Sequence, residues 1–216
     1  MEALLAGYVT SADTGDEALV IASRAALAEY CDAGPAQLER VCGALVRNLQ
    51  PGPARPAQQD RTTVPTLEVV AYLFHAGAFP RCRGVDYARL CLLVQKAGYK
   101  TGNVRKLEAC VRVYGAVAGL PPAAPPGPGE AEDATKRADG VREARRRLGA
   151  LMHHPWPRIR SLVADELWGA LGVSPGAAAA GAEASEPTAE KLLGVDWGQA
   201  DKARVKRLVE EELGLA

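Results

Sequence analysis

The chain has 216 residues, of which 48% are hydrophobic and only 5% aromatic. At this length roughly 70% of the surface of the unfolded chain is buried on folding, so neither disulfides nor a metal is needed for stability. The formal net charge is zero, with 26 basic and 26 acidic residues. The protein as a whole therefore offers nucleic acid or an anionic membrane no electrostatic attraction. A polar partner would have to bind at a local patch of charged residues.

Further features of the sequence indicate the cellular compartment of the protein. The chain opens with no charged and then apolar signal segment, and it contains no run of about 18 apolar residues that could span a bilayer. Its cysteines are odd in number, contain no C-x-x-C pair and mostly fall within apolar helical patterns; they are Cys31, Cys42, Cys82, Cys91 and Cys110. We expect reduced core thiols in a cytosolic protein.

Apolar residues recur with a helical period along the first half of the chain. Pro35 suits a first helical turn, Gly77 suits a helix end, and Asn103 suits an N-cap. Residues 50–61 are predicted to form a loop. The predicted helices cover about residues 2–8, 15–31, 35–49, 64–77, 87–97 and 103–120.

The second half begins with five prolines in a stretch that has few apolar side chains, which is typical of an extended linker. Helices are predicted over about residues 135–153, from Pro157 onward, and over about 200–213. The predicted organisation is a first set of HEAT-like helical hairpins at 1–120, a Pro/Gly-rich linker at 121–134, and C-terminal helical repeats at 135–216 with a flexible loop at 173–187.

The most informative stretch is Leu151–Leu171, which reads as the end of one helix, a corner, and the start of another. Pro155 and Pro157 lack amide donors, so they suit a corner and a first turn rather than a helix interior. From Ile159 onward, apolar residues fall on one helical face. This pattern predicts the joint of a helical hairpin, with Pro155, Pro157, Ile159 and Arg160 as its structural residues.

The start of that second helix has echoes elsewhere in the chain. Ile159-Arg160 resembles Val104-Arg105 in its spacing to the apolar residues that follow, and Ser23-Arg24 is a weaker echo. Short helices with broad apolar faces bury those faces by stacking pair upon pair. Because no alternating run of β-branched residues indicates a sheet, we predict an all-α, HEAT/armadillo-like α-solenoid of stacked helical hairpins.

The joint is also rich in basic side chains. Between Thr135 and Ala170, eight positive residues face four negative ones, which leaves a local charge of +4. Arginine forks bind carboxylates at two points, so an acidic partner surface is the expected ligand. The candidate binding residues are Arg142, Arg145, Arg146, Arg147, Arg158 and Trp156. The competing interpretation is an ordinary solvated helix face, and Arg160 is expected to reach an acidic group in a neighbouring repeat.

Signals for chemistry are weak. His153 and His154 are adjacent, so on a helix they point about 100° apart, and no carboxylate or cysteine accompanies them at metal-ligand spacing. No nucleophile with a partner base and no paired carboxylates stand out. We predict no catalytic residues, no metal and no cofactor.

Several stretches, in this order, resemble the C-terminal region of the tubulin-folding cofactor D family. They are Asp16–Leu27, Val64–Val69, His154–Arg160, Leu192–Trp197 and Arg204–Leu213. Each stretch alone also describes a generic repeat helix, so the resemblance depends on their order and spacing. It extends over about residues 7–213.

The resemblance implies a HEAT-repeat chaperone, rather than an enzyme, that takes β-tubulin after the chaperonin step and helps to join it to α-tubulin. The family works with cofactors E and C and a small Arf-like GTPase in an assembly that stimulates GTP hydrolysis by tubulin. Tubulin is strongly acidic, so the resemblance makes the basic cluster a candidate docking surface. Three alternatives remain. The first is an unrelated HEAT-type scaffold, and the second is a nucleic-acid-binding module, against which the zero net charge argues. The third is an enzyme, which predicts a concave pocket with perturbed titratable groups.

Overall fold

The computed structural model describes residues 16–50, 56–121, 131–172 and 186–212, together with Gly7. These residues contain no strand, and their ten α-helices pack against one another, so the predicted all-α, HEAT-like fold class is confirmed. A π-helical turn, Leu208–Glu212, follows the last of them. The helices are α1 (Glu17–Asp32), α2 (Pro35–Asn48), α3 (Pro56–His75), α4 (Ala78–Arg81), α5 (Tyr87–Gly98), α6 (Val104–Ala118), α7 (Ala131–Met152), α8 (Pro157–Gly172), α9 (Glu186–Leu193) and α10 (Lys202–Arg207).

The chain divides into two compact units. The first comprises residues 1–85 and 92–113, and the second comprises residues 86–91 and 114–216. Most of the predicted linker, at 122–130, and most of the predicted loop, at 173–185, lie outside the described residues. The predicted domain boundaries therefore stay predictions. None of the helices that the structure describes is both long and apolar enough to cross a bilayer.

In the first unit, α1 and α2 form a hairpin that packs on α3, and α1 also contacts α4. The Asp16 side chain caps α1 by accepting a hydrogen bond from the Leu19 amide at 3.1 Å. The core between these helices is fully buried at Val41, Leu67 and Phe79, and Phe79 stacks on the ring of Phe74 at 4.7 Å.

Ion pairs tie the helices of this unit together at its surface. The Arg105 guanidinium donates two hydrogen bonds to the Glu68 carboxylate, at 2.7 and 3.0 Å, and Arg24 lies 3.9 Å from the same carboxylate. The Lys106 ammonium contacts the half-buried Asp60 carboxylate at 2.6 Å. In this unit, the arginines of the two echoing segments, Arg24 and Arg105, do reach an acidic side chain of another helix.

In the second unit, α7 and α8 form a hairpin, and α9 packs on α8. The apolar faces of α7 and α8 meet through fully buried side chains, namely Ala144, Leu148, Met152, Ile159, Val163 and Leu167. Gly140 of α7 lies against Tyr87, where a Cβ atom would overlap the tyrosine Cβ and come within 3.2 Å of its backbone. Gly140 thus allows a close helix approach that a larger residue would prevent.

The structure corrects several predicted element boundaries. Helix α3 begins at Pro56, inside the predicted 50–61 loop, and continues through Pro65, because the residues around Pro65 are buried and the packing outweighs the lost amide donor. Helix α7 begins at Ala131 rather than near Thr135, since Glu132 and Asp133 favour the positive end of the helix dipole. Helices α4 and α9 were not predicted.

Replacing Gly140 by alanine should destabilise the second unit by about 1 to 3 kcal/mol, because the new methyl group has no space beside Tyr87. Urea denaturation would measure the loss. The matched control is Gly169→Ala in α8, where nothing lies within 4 Å of the position that the methyl group would take. There the better helix propensity of alanine should raise stability by up to about 1 kcal/mol. Equal effects of the two substitutions would contradict the close approach at Gly140.

Candidate interaction surface at the helical joint

The joint between α7 and α8 is a short corner. Helix α7 ends at Met152, α8 begins at Pro157, and the intervening backbone turns at Pro155. The Trp156 amide donates a hydrogen bond to His154 Nδ1 at 3.2 Å, and the two rings meet edge to face with their centroids 5.0 Å apart. Local contacts between side chain and backbone therefore shape the corner, and leave the Trp156 side chain half-buried.

Arg160, in the first turns of α8, is the central side chain of the joint. Only 9% of it is exposed, and its guanidinium donates hydrogen bonds to carbonyl oxygens of both the corner and the turn before α10. The acceptors are the carbonyls of Trp197 (2.9 Å), His154 (3.1 Å), Pro155 (3.3 Å), Ala200 (3.3 Å) and Gly198 (3.5 Å).

This arrangement differs from the predicted contact of Arg160 with an acidic group. Carbonyl groups in corners and turns have no amide partner within a helix, so they need another donor. The five N–H donors of one guanidinium can satisfy several such oxygens at once. Trp197 also fixes the turn before α10, because its buried indole N–H donates a hydrogen bond to the Leu192 carbonyl at 2.8 Å.

The position of His154 in this corner disfavours the protonated, charged form of its ring. Burial, and then the positive charge of Arg160, lower the pKa of His154 below its ordinary 6.5. The neutral ring also explains why Nδ1 accepts the Trp156 amide hydrogen. The corner is thus built for an uncharged histidine.

The basic cluster on α7 is largely paired within the helix. Arg142 donates to Asp139 at 2.6 Å, and Glu143 accepts from both Arg146 (2.9 Å) and Arg147 (2.6 Å). The bonds from Arg146 lower the pKa of the Glu143 carboxyl, although burial opposes them, and the bonds from Arg147 act in the same direction as those from Arg146. These two carboxylates are among the four negative residues already subtracted in the local charge of +4, so the pairs leave that excess unchanged.

The candidate binding residues do not form one continuous set. Arg142, Arg145 and Arg146 are three and four positions apart, so they share one face of α7, whereas Arg147 is half-buried beside Glu143. Arg145 is half-buried, and its Nε has no hydrogen-bond partner among the described residues. Exposed Arg158 lies in the first turn of α8, and at 1.5 Å per residue Arg142 lies about 15 Å from the end of α7.

Sequence reasoning missed two features of this site. One is the role of Glu143 as a shared acceptor, although its spacing of three and four residues from two arginines was a readable signal. The other is the turn around Trp197, for which the sequence had no indicator of contact with Arg160. Among the described residues, no group of three or more His, Cys, Asp or Glu is placed to hold a metal ion.

Replacing Arg160 by methionine should cost about 2 to 4 kcal/mol, because five carbonyl oxygens would lose a charged donor and two of these bonds are buried. Arg160→Lys should recover only part of the loss, since an ammonium cannot reproduce the fork. Urea denaturation tests both variants, with exposed Arg112→Met as the control. A stable Arg160→Met variant would contradict this role for the guanidinium.

Acidification should destabilise the joint. The pKa of His154 is lowered in the folded state, so its contribution is complete above the ordinary value of 6.5 and is lost as the pH falls through the lower folded-state pKa. Between about pH 7.5 and about pH 5, the Tm of the unaltered protein should fall. His154→Asn, which keeps an acceptor for the Trp156 amide, should reduce that fall, whereas exposed His153→Asn should not. Identical pH profiles for all three proteins would exclude His154 as the cause.

Comparison with known proteins bears on the first part of the chain. Residues 1–106 match the family model described as tubulin folding cofactor D C terminal. No curated protein and no solved structure matches the chain. The matched range contains the first two of the resembling stretches, at 16–27 and 64–69, and ends before the joint at 152–157. The resemblance to the C-terminal region of tubulin folding cofactor D is therefore confirmed over residues 1–106.

Proposed function

We propose that this chain is the C-terminal part of a tubulin-folding chaperone, which binds β-tubulin in the cytoplasm and takes part in assembling the α/β-tubulin heterodimer after the chaperonin step. The observation that carries the proposal is the family match over residues 1–106. The chain acts by presenting surface, not by performing chemistry. In the same proposal it works beside cofactors E and C and a small Arf-like GTPase, in a complex that stimulates GTP hydrolysis by tubulin.

The stacked helices suit such a role because each hairpin leaves one side of its helices open to solvent. On α7 that side carries Arg142 and Arg146, whose side chains are 76% and 60% exposed. Each is paired on one side with a carboxylate of its own helix. The remaining N–H groups of each fork can still donate to carboxylates of a partner.

Arg145 lies between the two exposed arginines in sequence and is half-buried. Its Nε is buried and has no hydrogen-bond partner among the described residues, so a partner could reach only the exposed part of its side chain. We therefore propose the face of Arg142, Arg145 and Arg146 as a contact with tubulin, and we leave out Arg147, because its half-buried pair with Glu143 is internal.

The second candidate is an unrelated HEAT-type scaffold for another protein, because stacked helices serve that purpose equally well. The two candidates differ in one measurable respect, namely whether purified tubulin binds the chain. They do not differ in fold.

The test is to immobilise the full chain and measure binding of purified α/β-tubulin. The unaltered chain should bind, and a triple variant with Arg142, Arg145 and Arg146 replaced by glutamate should bind about tenfold more weakly, since each interfacial charge pair is worth up to about 1 kcal/mol. The affinity of the unaltered chain should also fall with added salt. Circular dichroism would verify that the variant keeps its helices.

A variant with the same change in charge provides the control. Arg40, Arg47 and Arg112 are exposed and lie outside this face, and their replacement by glutamate should leave binding within about twofold of the unaltered chain. Equal losses in both variants would indicate non-specific attraction. Full binding by the α7 variant would remove this face from the proposal, and no tubulin binding by any form would favour the scaffold.

A further inference from the structure

The outer side of α1 is apolar although it is open to solvent. The exposed residues of this helix are apolar or acidic, and none of them is basic. They are Glu17, Ala18, Leu19, Ile21, Ala22, Ala25, Ala26, Glu29 and Asp32. Beyond its first turn, α2 exposes only polar residues, namely Glu39, Arg40, Arg47 and Asn48. The outer side of α1 therefore differs from an ordinary solvated helix face.

The opposite side of α1 already holds the helix in place. Leu27 and Cys31 are buried there, where α1 packs on α2, α3 and α4. Apolar residues on every side of a helix are typical of a helix that is buried on every side. The sequence of α1 therefore fits a helix that a further element covers on its outer side.

The exposed apolar side chains of α1 differ in size in an ordered way. Four of them are alanines, at positions 18, 22, 25 and 26, and they share one helical face because they lie three, four, seven or eight positions apart. At about 100° per residue, Ile21 lies on one side of this alanine stripe and Leu19 on the other. We call these six residues the α1 face. A second helix could approach the alanines closely and pack between the two larger side chains.

The charges at the two ends of the α1 face are negative. Glu17 lies in the first turn of α1, and Glu29 lies about 18 Å further along the helix axis at 1.5 Å per residue. Asp32 pairs with Arg81, so we consider Glu17 and Glu29 as the carboxylates for a partner. Lysine or arginine at both ends of a helix that lay along the α1 face would be attracted to them.

The same charges argue against other occupants of the α1 face. Antiparallel packing of α1 on α1 of a second copy would bring Glu17 of one copy next to Glu29 of the other, and like charges repel. Residues 1–15, which precede α1, contain Glu2 and Asp13 but no lysine or arginine. Tubulin, the partner proposed for α7, is strongly acidic. The charges therefore favour a basic segment of a different protein.

We propose that the α1 face is a docking site for an amphipathic helix of another protein, which has one apolar stripe and lysine or arginine near both ends. The apolar stripe packs on the alanines between Leu19 and Ile21, and the basic ends meet Glu29 and Glu17. The α1 face belongs to the first unit and the proposed tubulin contact belongs to the second. Neither proposal depends on the other.

The test uses the full chain and a labelled synthetic peptide as the probe. The basic peptide has about 15 residues, with leucine at every third or fourth position, alanine elsewhere and lysines at both ends. Fluorescence anisotropy would measure its Kd. A peptide with glutamate in place of lysine should bind at least about tenfold more weakly, and so should a peptide of the basic composition whose scrambled order breaks the leucine stripe.

Substitutions on the α1 face and a matched control locate the binding site. Leu19→Asn and Ile21→Asn should each weaken binding of the basic peptide by about five- to tenfold, because a polar side chain replaces an apolar contact. Leu92→Asn in α5 is the control, since Leu92 is 45% exposed and Leu19 is 47% exposed. It should leave the Kd within about twofold. Circular dichroism and urea denaturation would verify that each variant is folded.

A change of charge tests the polar part of the proposal. When Glu17 and Glu29 are both replaced by lysine, the preference should reverse, so that the glutamate peptide binds more tightly than the lysine peptide. The control makes the same change of charge at Glu39 and Glu190, which are exposed and lie outside α1. That variant should keep the preference for the lysine peptide.

Four results would overturn the proposal. The first is no binding of the basic peptide by the unaltered chain, and the second is an equal loss of binding in Leu19→Asn and Leu92→Asn. The third is an unaltered chain that sediments as a dimer and becomes a monomer on Ile21→Asn, which would assign the α1 face to a second copy. The fourth is binding that appears only after Leu4 and Leu5 are replaced by serine, which would assign the face to residues 1–15.

Discussion

The second unit depends on one buried guanidinium. Arg160 brings together carbonyl oxygens from the corner before α8 and from the turn before α10, which are separated by about 40 residues of chain. Without that charge, backbone oxygens at two places would be buried without a donor, and each would cost free energy comparable to a lost hydrogen bond. The hairpin of α7 and α8 and the C-terminal turn are therefore coupled through a single side chain.

The first unit uses arginine differently. Arg105 directly follows the first large apolar residue of its helix, as Arg160 does in α8, and it forms a two-point contact with Glu68 of α3 instead of with backbone. That contact is more than half open to solvent on the arginine side, so its contribution to stability is expected to be small. One recurring sequence feature thus has two physical roles, according to whether the neighbouring chain offers a carboxylate or unpaired carbonyls.

The pairing of polar groups within the protein also determines which polar groups remain available at its surface. On α7, carboxylates within the helix partly neutralise the arginines and leave a face on which Arg145 alone has a buried nitrogen without a partner among the described residues. Binding is therefore proposed at the exposed arginines of α7, whose pairing within the helix leaves some of their N–H groups available.

Much of the architecture could be predicted from sequence because helices are specified locally. The spacing of apolar residues located most of the long helices, and the placement of α8 followed from Pro157 and the apolar face behind it. Helices α4 and α9 escaped prediction because they are short, and short helices are held by tertiary packing rather than by their own propensity. Helix α3 passes through Pro65 for a similar reason, since its flanks are buried.

The sequence by itself determined the all-α class, the corner at Pro155 and Pro157, and which residues carry charge, because each depends on neighbours within a few positions of the chain. Only the tertiary structure decided that Arg160 meets carbonyls instead of a carboxylate, among them those of Trp197 and Ala200. Those pairs join residues about 40 positions apart, and no periodic pattern encodes which distant group will lie at hydrogen-bonding distance once the helices have packed.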